Sequence, residues 1–372
     1  MQTQRTMVKR LLSEAGVRIN GTDPWDIQVH DERFFVRALK DRSLGLGESY
    51  MAGWWDCARI DELIFRLLRA NLEEKIRGNL QALLFCLSAR LFNRQSPSRA
   101  GIIARRHYDL GNDLFLSFLD PYNQYSCAYF QGTDDLVEAQ QKKLELICRK
   151  IHLRQGDDVL DVGCGWGGFA RYAADHYGCT VTAVNISEEQ IRYARESCQN
   201  LPVRILSEDY RQIQGSFDKI VSIGMFEHVG RKNYRTFMKV AHRCLKEGGI
   251  FLLHTIGSNA SRVNGDPWVN RYIFPNGMLP SIAQIGRAAE DLLMIEDIHN
   301  LGPHYEKTLL HWNDRFQAAW NGLSGMYDQT FKRMWEYYLL SYAGAFRARS
   351  IQVWQIVMTK AGTTGQPWCR FA

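Results

Sequence analysis

Gly163, Gly165 and Gly168 spell G-x-G-x-x-G directly behind the apolar run Val159–Val162. Glycines at that spacing turn the chain tightly and let backbone N–H groups approach a nucleotide, although the pattern alone has low specificity. An NAD site calls for an Asp or Glu at the end of the following strand, where it takes the ribose hydroxyls. Here that place falls near Asn185. Two features favour S-adenosylmethionine instead. Asp161 precedes the glycines by two and can pair with a cationic amino-acid moiety. After the next strand comes Glu208-Asp209-Tyr210, an acceptor for an adenine amino group beside an aromatic ring for its face. The plain alternative is a strand–turn–helix whose glycines serve packing alone.

A second set of residues has the types needed to hold a small oxyanion. Glu227 and His228 follow an apolar strand, and His254 ends another. In an α/β sheet such strand ends face the crevice where a ligand sits. A Glu, a His, a Tyr and a Cys converging there could bind an oxyanion and tune its basicity through hydrogen bonds. Taken singly, Cys127 reads as a buried apolar filler and His254 as a satisfied core histidine. Glu227 is harder to dismiss, because a carboxylate is seldom buried without a partner or a task.

These residues need a frame, and from Ile102 onward strands and helices alternate. Strands are expected at Val159–Val162, Cys179–Val184, Val203–Leu206, Lys219–Ile223 and Ile250–His254. Helices are expected at Trp166–Tyr177, after Ser187 with Glu188, Glu189 and Gln190 in the first turn, and at Tyr234–Leu245. Such alternation means a mostly parallel sheet covered on both faces. The run Ile351–Lys360 is read as an added edge strand. Residues 1 to about 92 read as a small, mainly helical domain, with Leu80, Leu83, Leu84, Leu87 and Leu91 at helical spacing. NRQSPSRA has the make-up of a linker, placed at 93–101, which leaves 102–372 for the second domain.

A chain of 372 residues with 45% apolar side chains can build two packed domains, so global disorder is not expected. Nine cysteines with no C-x-x-C pair suit reduced thiols in a cytoplasm, and no metal site is expected. There is no apolar run of about 18 residues that would span a bilayer, and MQTQRTMVKRLLSEAG has no apolar core of a secretory signal. The net charge is +6, and its location matters more than its size. Residues 62–106 hold nine Lys or Arg against three Glu, an excess equal to that of the whole chain. This segment points to an anionic partner. It reads as a helix packed on its own domain or as a basic, apolar-faced surface for phospholipid. No aromatic RNA-binding pattern or zinc finger is present, which argues against nucleic acid.

The stretches GLGESYMAGWW (45–55), HYDLGNDLF (107–115), QYSCAYF (124–130), LDVGCGWGG (160–168), GMFEHVG (224–230), FLLHTIG (251–257), YIFPNG (272–277) and AGAFRAR (343–349) carry a resemblance. The chain resembles the cyclopropane-fatty-acyl-phospholipid synthases, S-adenosylmethionine-dependent methyltransferases, through nearly all of its 372 residues. The resemblance implies an α/β fold: a Rossmann-like class I methyltransferase domain preceded by the helical one. It implies attack by a cis alkene of a phospholipid acyl chain on the sulfonium methyl, and a carbocation that loses a proton to bound bicarbonate. Related enzymes give methyl-branched products, so that outcome stays open.

By the same resemblance the bicarbonate pocket is Cys127, Glu227, His254, Tyr305 and the backbone of Ile256. The cofactor positions are Tyr125, Ser126, Gly163, Cys164, Gly165, Trp166, Gly167, Gly168, Asn185, Ile186, Ser187, Gln190, Asp209 and Tyr210, with Asp161 added from the residue chemistry. Tyr125, Tyr129, Phe130, Trp268, Tyr272 and Phe274 could offer aromatic faces to a cation. Many relatives carry a cysteine where this chain has Tyr342, so a thiolate nucleophile there is ruled out. The resemblance further implies a homodimer associated peripherally with the cytoplasmic face of a membrane.

Overall fold

The computed structural model describes residues 2–71, 111–262 and 265–364. The leucine stripe 80–91, the linker 93–101 and most of the basic segment lie outside these residues. The described residues fall into two compact units. One comprises Gly111–Asn264, Asn276–Trp312 and Ile351–Ala372; the other Met1–Leu110, Gly265–Pro275 and Asn313–Ser350.

The first unit is built on a seven-stranded sheet. Its strands are β1 (Asp158–Val162), β2 (Thr180–Asn185), β3 (Val203–Ser207), β4 (Phe217–Ile223), β5 (Leu245–Ser258), β6 (Leu293–Asn300) and β7 (Ile351–Lys360). They lie in the order β3-β2-β1-β4-β5-β7-β6, parallel except for β7, which is antiparallel to both neighbours. Alternation along β1 feeds two buried clusters. Leu160 and Val162 join Phe237, Met238 and Phe251 in one, while Val159 joins Leu144, Ile147 and Val181 in the other. Both sheet faces are therefore covered, as the strand–helix alternation requires. This is the class I methyltransferase architecture expected.

Two expectations about strands are corrected. Residues 351–360 do not form an edge. They lie between β5 and β6, and all but the two end residues of β7 are buried. A run apolar on both faces belongs inside a sheet. The edge on this side is β6, whose irregularity between Ile295 and Asp297 breaks the alternation that marks a strand. Nor does β5 stop at His254; β7 keeps pairing with it to Ser258↔Ile351, which leaves His254 in mid-strand opposite Gln355.

The second unit is helical: Gln2–Glu14, Arg33–Met51, Ile60–Arg69, Pro267–Tyr272 and Gln329–Arg347. Its centre is aromatic. Trp268 meets Tyr337 at 4.8 Å and Tyr50 meets Trp55 at 4.9 Å. Several of the most specific sequence stretches are explained by packing here. A Cβ on Gly47 would run into the Trp268 indole at 2.4 Å, and one on Gly344 into the Asp61 carbonyl at 2.3 Å. Glu48 accepts from Tyr272 Oη at 2.8 Å, and Arg347 binds Asp61 at 2.7 Å and Glu62 at 2.8 Å. Tyr342 sits half-buried against Tyr338, and burial raises its phenol above the usual range.

Gly257 on β5 leaves room for the Trp354 ring, since a Cβ there would stand 1.8 Å from it and 2.7 Å from the Pro280 carbonyl. Gly257→Val is expected to cost ~1–3 kcal/mol through overpacking. Gly286→Ala, in a helix with nothing within 4 Å of the new Cβ, is expected to be neutral or mildly stabilising. Thermal unfolding of both variants checks this. Equal melting temperatures would contradict the close packing of Trp354.

Candidate active site

The glycine loop occupies the carboxyl end of β1, and backbone geometry decides where its helix begins. Gly163, Gly165 and Gly167 all have positive φ, so the helix starts at Gly168 and not at Trp166. A Cβ on Gly165 would meet nothing within 4 Å, whereas one on Gly168 would strike the Tyr122 carbonyl at 1.8 Å. Gly165 is thus the point where the loop backbone borders open space, and Gly168 is the point where it is tightly packed. Asn185 braces the loop from the end of β2. Its Nδ2 donates to Gly165 O at 3.1 Å and to Gln190 Oε1 at 2.9 Å, and its Oδ1 accepts from Ile186 N at 2.8 Å. Ser187 holds the N-cap position of the next helix, though its hydroxyl makes no capping bond. Ile186 is 75% exposed beside this brace. Trp166 is buried, with its indole N–H on Asn112 Oδ1 at 2.8 Å and its ring 5.0 Å from Phe115. Cys164 is buried too, and burial raises its thiol well above the usual range.

Asp161 is buried in β1, and its Oδ2 has no hydrogen-bond partner in the protein. Burial pushes its carboxyl up to about 7, with the Lys143 charge pulling the other way. An unpaired buried carboxylate is costly, and a cationic ligand group would relieve that cost. Asp209 and Tyr210 are differently placed. Asp209 is held by Arg211, at 2.8 Å from Nε and 2.6 Å from Nη2, which keeps it down at about 2. The Tyr210 ring packs in the core 5.4 Å from Phe237, although its hydroxyl is buried without a partner.

Glu227 lies in a short 3-10 turn after β4. Its Oε1 accepts the Ile256 N–H of β5 at 2.5 Å, while Oε2 is buried without a partner. The Ile256 amide therefore positions the carboxylate. Burial raises Glu227 to about 7, opposed chiefly by that amide. His254 pairs across the sheet with Ile223 and Gln355; its Nε2 is likewise buried and unpartnered. Burial first, then the charges of Lys143 and Lys150, hold it well below its usual range, so the ring is neutral. Cys127 is fully buried, 3.2 Å from Ala128 O and 3.7 Å from Leu301 O. Burial pushes its thiol far up, so it is no thiolate. Its segment is tied to the helix of Tyr305 by Ala128 N on Thr308 Oγ1 at 3.1 Å and Phe130 N on His304 Nδ1 at 3.1 Å. Tyr305 itself is buried 6.0 Å from Trp312, whose ring lies 5.1 Å from Tyr125.

The residue that sequence reasoning missed is Lys143, on the helix Leu136–Lys150. It has no exposed surface; its Nζ donates to Gln124 Oε1 and, at 2.9 Å, to Ser126 Oγ. Burial lowers it to about 8, and its charge acts on Asp161, Cys127 and His254 alike. A lysine on an amphipathic helix reads as solvated, so nothing in the sequence marked it. Asp161 Oδ2, Glu227 Oε2 and His254 Nε2 are three buried polar atoms that call for ligand partners. With the open side of Gly165, the unpartnered Asp161 Oδ2 fits the cationic group of a nucleoside cofactor.

Because the folded-state value of Asp161 lies above its ordinary 3.8, its contribution to stability is full below about 4 and is lost as pH rises through about 7. Asp161→Asn is therefore expected to raise the melting temperature of the cofactor-free protein at pH 8. The gain should shrink as pH falls towards 5, while affinity for S-adenosylhomocysteine drops. Melting curves at both pH values with calorimetric titration check it; a lower melting temperature at pH 8 would contradict the buried, unpaired carboxylate.

Residues 95–356 match the family model described as mycolic acid cyclopropane synthetase. A cyclopropane-fatty-acyl-phospholipid synthase of Escherichia coli is 52% identical over 359 residues, 96% of this chain and 94% of that one. The tuberculostearic acid methyltransferase of Mycobacterium tuberculosis is 32% identical over 379 residues, 95% of this chain and 88% of that one. Among solved structures, a mycolic acid cyclopropane synthase complexed with SAH and CTAB is similar at a TM-score of 0.64 and 34% identity. That match covers 72% of this chain and all of the other. Similarity over the whole length, on a sheet of this topology and through the glycine loop, leaves one assignment: the chain belongs to the cyclopropane-fatty-acyl-phospholipid synthase family of S-adenosylmethionine-dependent methyltransferases.

Proposed function

We propose that this enzyme adds one methylene to the cis double bond of an unsaturated phospholipid acyl chain and closes a cyclopropane ring. The observation that supports the reading is that Glu227 Oε2 and His254 Nε2 are each buried without a protein partner, while Cys127 is buried with its proton retained. Ring closure after methyl addition must release a proton, and no side chain in this set is a strong base. Glu227 is raised by burial, His254 is a neutral ring, and Cys127 keeps its proton. The set is suited to holding a small oxyanion through hydrogen bonds, and bicarbonate is the ion we propose as proton acceptor. Glu227, His254, Cys127 and Tyr305 would hold it, with the Ile256 amide orienting Glu227.

S-adenosylmethionine supplies an electrophilic methyl when bound. Asp161, the Gly163–Gly168 loop, Asn185–Gln190, Tyr125 and Ser126 are the residues proposed to hold it, with Asp209 at the adenine end and the Tyr210 ring packed behind it in the core. Tyr125, ringed by Phe115 at 5.1 Å and Trp312 at 5.1 Å, offers an aromatic face that stabilises positive charge without reacting with it. We further propose that the helical domain with its basic 62–106 segment meets anionic phospholipid, and that the enzyme works as a homodimer on the cytoplasmic side of a membrane. No described helix is long and apolar enough to cross a bilayer.

Incubated with S-adenosylmethionine and vesicles of unsaturated phospholipid, the enzyme is expected to yield acyl chains heavier by one CH₂ with the alkene lost. Turnover should be faster on anionic than on neutral vesicles, and salt should erase that difference, since each suitably placed Lys or Arg contributes about 1 kcal/mol. Mass spectrometry reads the product. A methyl-branched chain would favour the other family outcome, and no change in the lipid would sink the lipid reading.

Activity is expected to fall in rigorously CO₂-free buffer and to return when bicarbonate is added. Glu227→Gln should lose ~10²–10⁴-fold, the usual worth of a general-base step, and Cys127→Ser much less. Full activity without CO₂, with Glu227→Gln close to the parent, would return the role of base to a side chain.

A further inference from the structure

A row of polar side chains, buried except for the half-buried His299, crosses the sheet through His254. In register, Gln355 of β7 stands opposite His254 of β5 on one side and His299 of β6 on the other. Directly opposed residues share a sheet face. The outer end of the row is closed by Lys150, whose Nζ lies 2.9 Å from His299 Nδ1. A protonated lysine can only donate, so that Nδ1 accepts and the His299 proton sits on Nε2. At the inner end, Gln355 Nε2 lies 3.4 Å from His254 Nδ1, with both residues buried. An amide nitrogen also can only donate. The contact is long, as such bonds often are before a ligand tightens the site.

We propose that Gln355 is a positioning residue: it donates to His254 Nδ1 and so holds the ring in the tautomer that carries its proton on Nε2. That N–H is then a donor aimed at the oxyanion held by Glu227, an inference that rests on the reading above. A neutral imidazole has one N–H to give, so the atom engaged by Gln355 decides which nitrogen faces the ion. Full burial keeps the ring neutral, and the charges of Lys143 and Lys150 from the neighbouring helix oppose its protonation while favouring an anion beside it. The Nε2 atom has no protein partner, which leaves it to a ligand. This arrangement matches the general use of an outer hydrogen bond to fix the tautomer of a working histidine.

The full-length protein, labelled with ¹⁵N-histidine, is the sample for two-bond ¹H–¹⁵N correlation, with His254→Asn used to assign the ring. The expected spectrum shows His254 protonated on Nε2. Gln355→Met keeps the side-chain length and removes the donor, and is expected to give a mixture of the two tautomers. The same substitution should raise the KM for bicarbonate roughly tenfold or more, with little change in kcat at saturating bicarbonate. A merely structural role would lower stability without this split. A wild-type ring protonated on Nδ1 overturns the proposal, as does Gln355→Met with Nε2–H retained. If Gln355→Met does not fold, the wild-type spectrum alone decides. A parent enzyme indifferent to bicarbonate but with His254 on Nε2–H, lost in Gln355→Met, upholds the positioning role and removes only the oxyanion reading.

Discussion

A lysine with no exposed surface is the interaction around which the catalytic unit is arranged. Taking an ammonium out of water is expensive unless hydrogen bonds replace its hydration. Lys143 is met by Gln124 Oε1 and Ser126 Oγ, and its neighbour Gln140 donates Nε2 to the carbonyls of Gln124 and Ser126. Asp120 adds bonds to the amides of Tyr122 and Gln124. The segment 120–127 is thereby fixed by polar groups that cannot release it without stranding a buried charge. Tyr122 and Gln124 in turn pack on Gly168, where no Cβ fits, so the glycine loop inherits its position from the same network.

The electrostatics that result are those of a site that works by placement. Two carboxyls are raised to about 7, a histidine is neutral, and a cysteine keeps its proton. None is tuned to be a strong nucleophile or base on its own. Asp161, Glu227 and His254 each keep a buried polar atom without a protein partner, where a hydrogen bond to a ligand is worth more than in water. The tight bond from Ile256 N–H to Glu227 Oε1 leaves a single carboxylate oxygen for that purpose.

The helical unit accounts for another part of the sequence's specificity. Gly47, Glu48, Gly344 and Arg347 sit in stretches that look as distinctive as the glycine loop, and each is explained by close packing or an ion pair. Distinctive residues do not all mark chemistry. The segments Gly265–Pro275 and Asn313–Ser350 join the N-terminal residues in this unit, a grouping that depends on contacts between residues hundreds of positions apart.

Local pattern determined much of the catalytic unit. Five strands, the helices between them, the glycine loop and a buried Glu227 were all legible, because alternation, glycine punctuation and the rarity of buried carboxylates are properties of short stretches. Whole-length motif resemblance named the rest of the candidate site. What short stretches cannot encode is who stands across the sheet. Only tertiary pairing put 351–360 inside the sheet, revealed β6 as the edge, left His254 in mid-strand opposite Gln355, and turned the Tyr210 ring into the core. Only tertiary burial brought Lys143 into the candidate site, since a lysine's exposure depends on what folds over it and not on its neighbours in sequence.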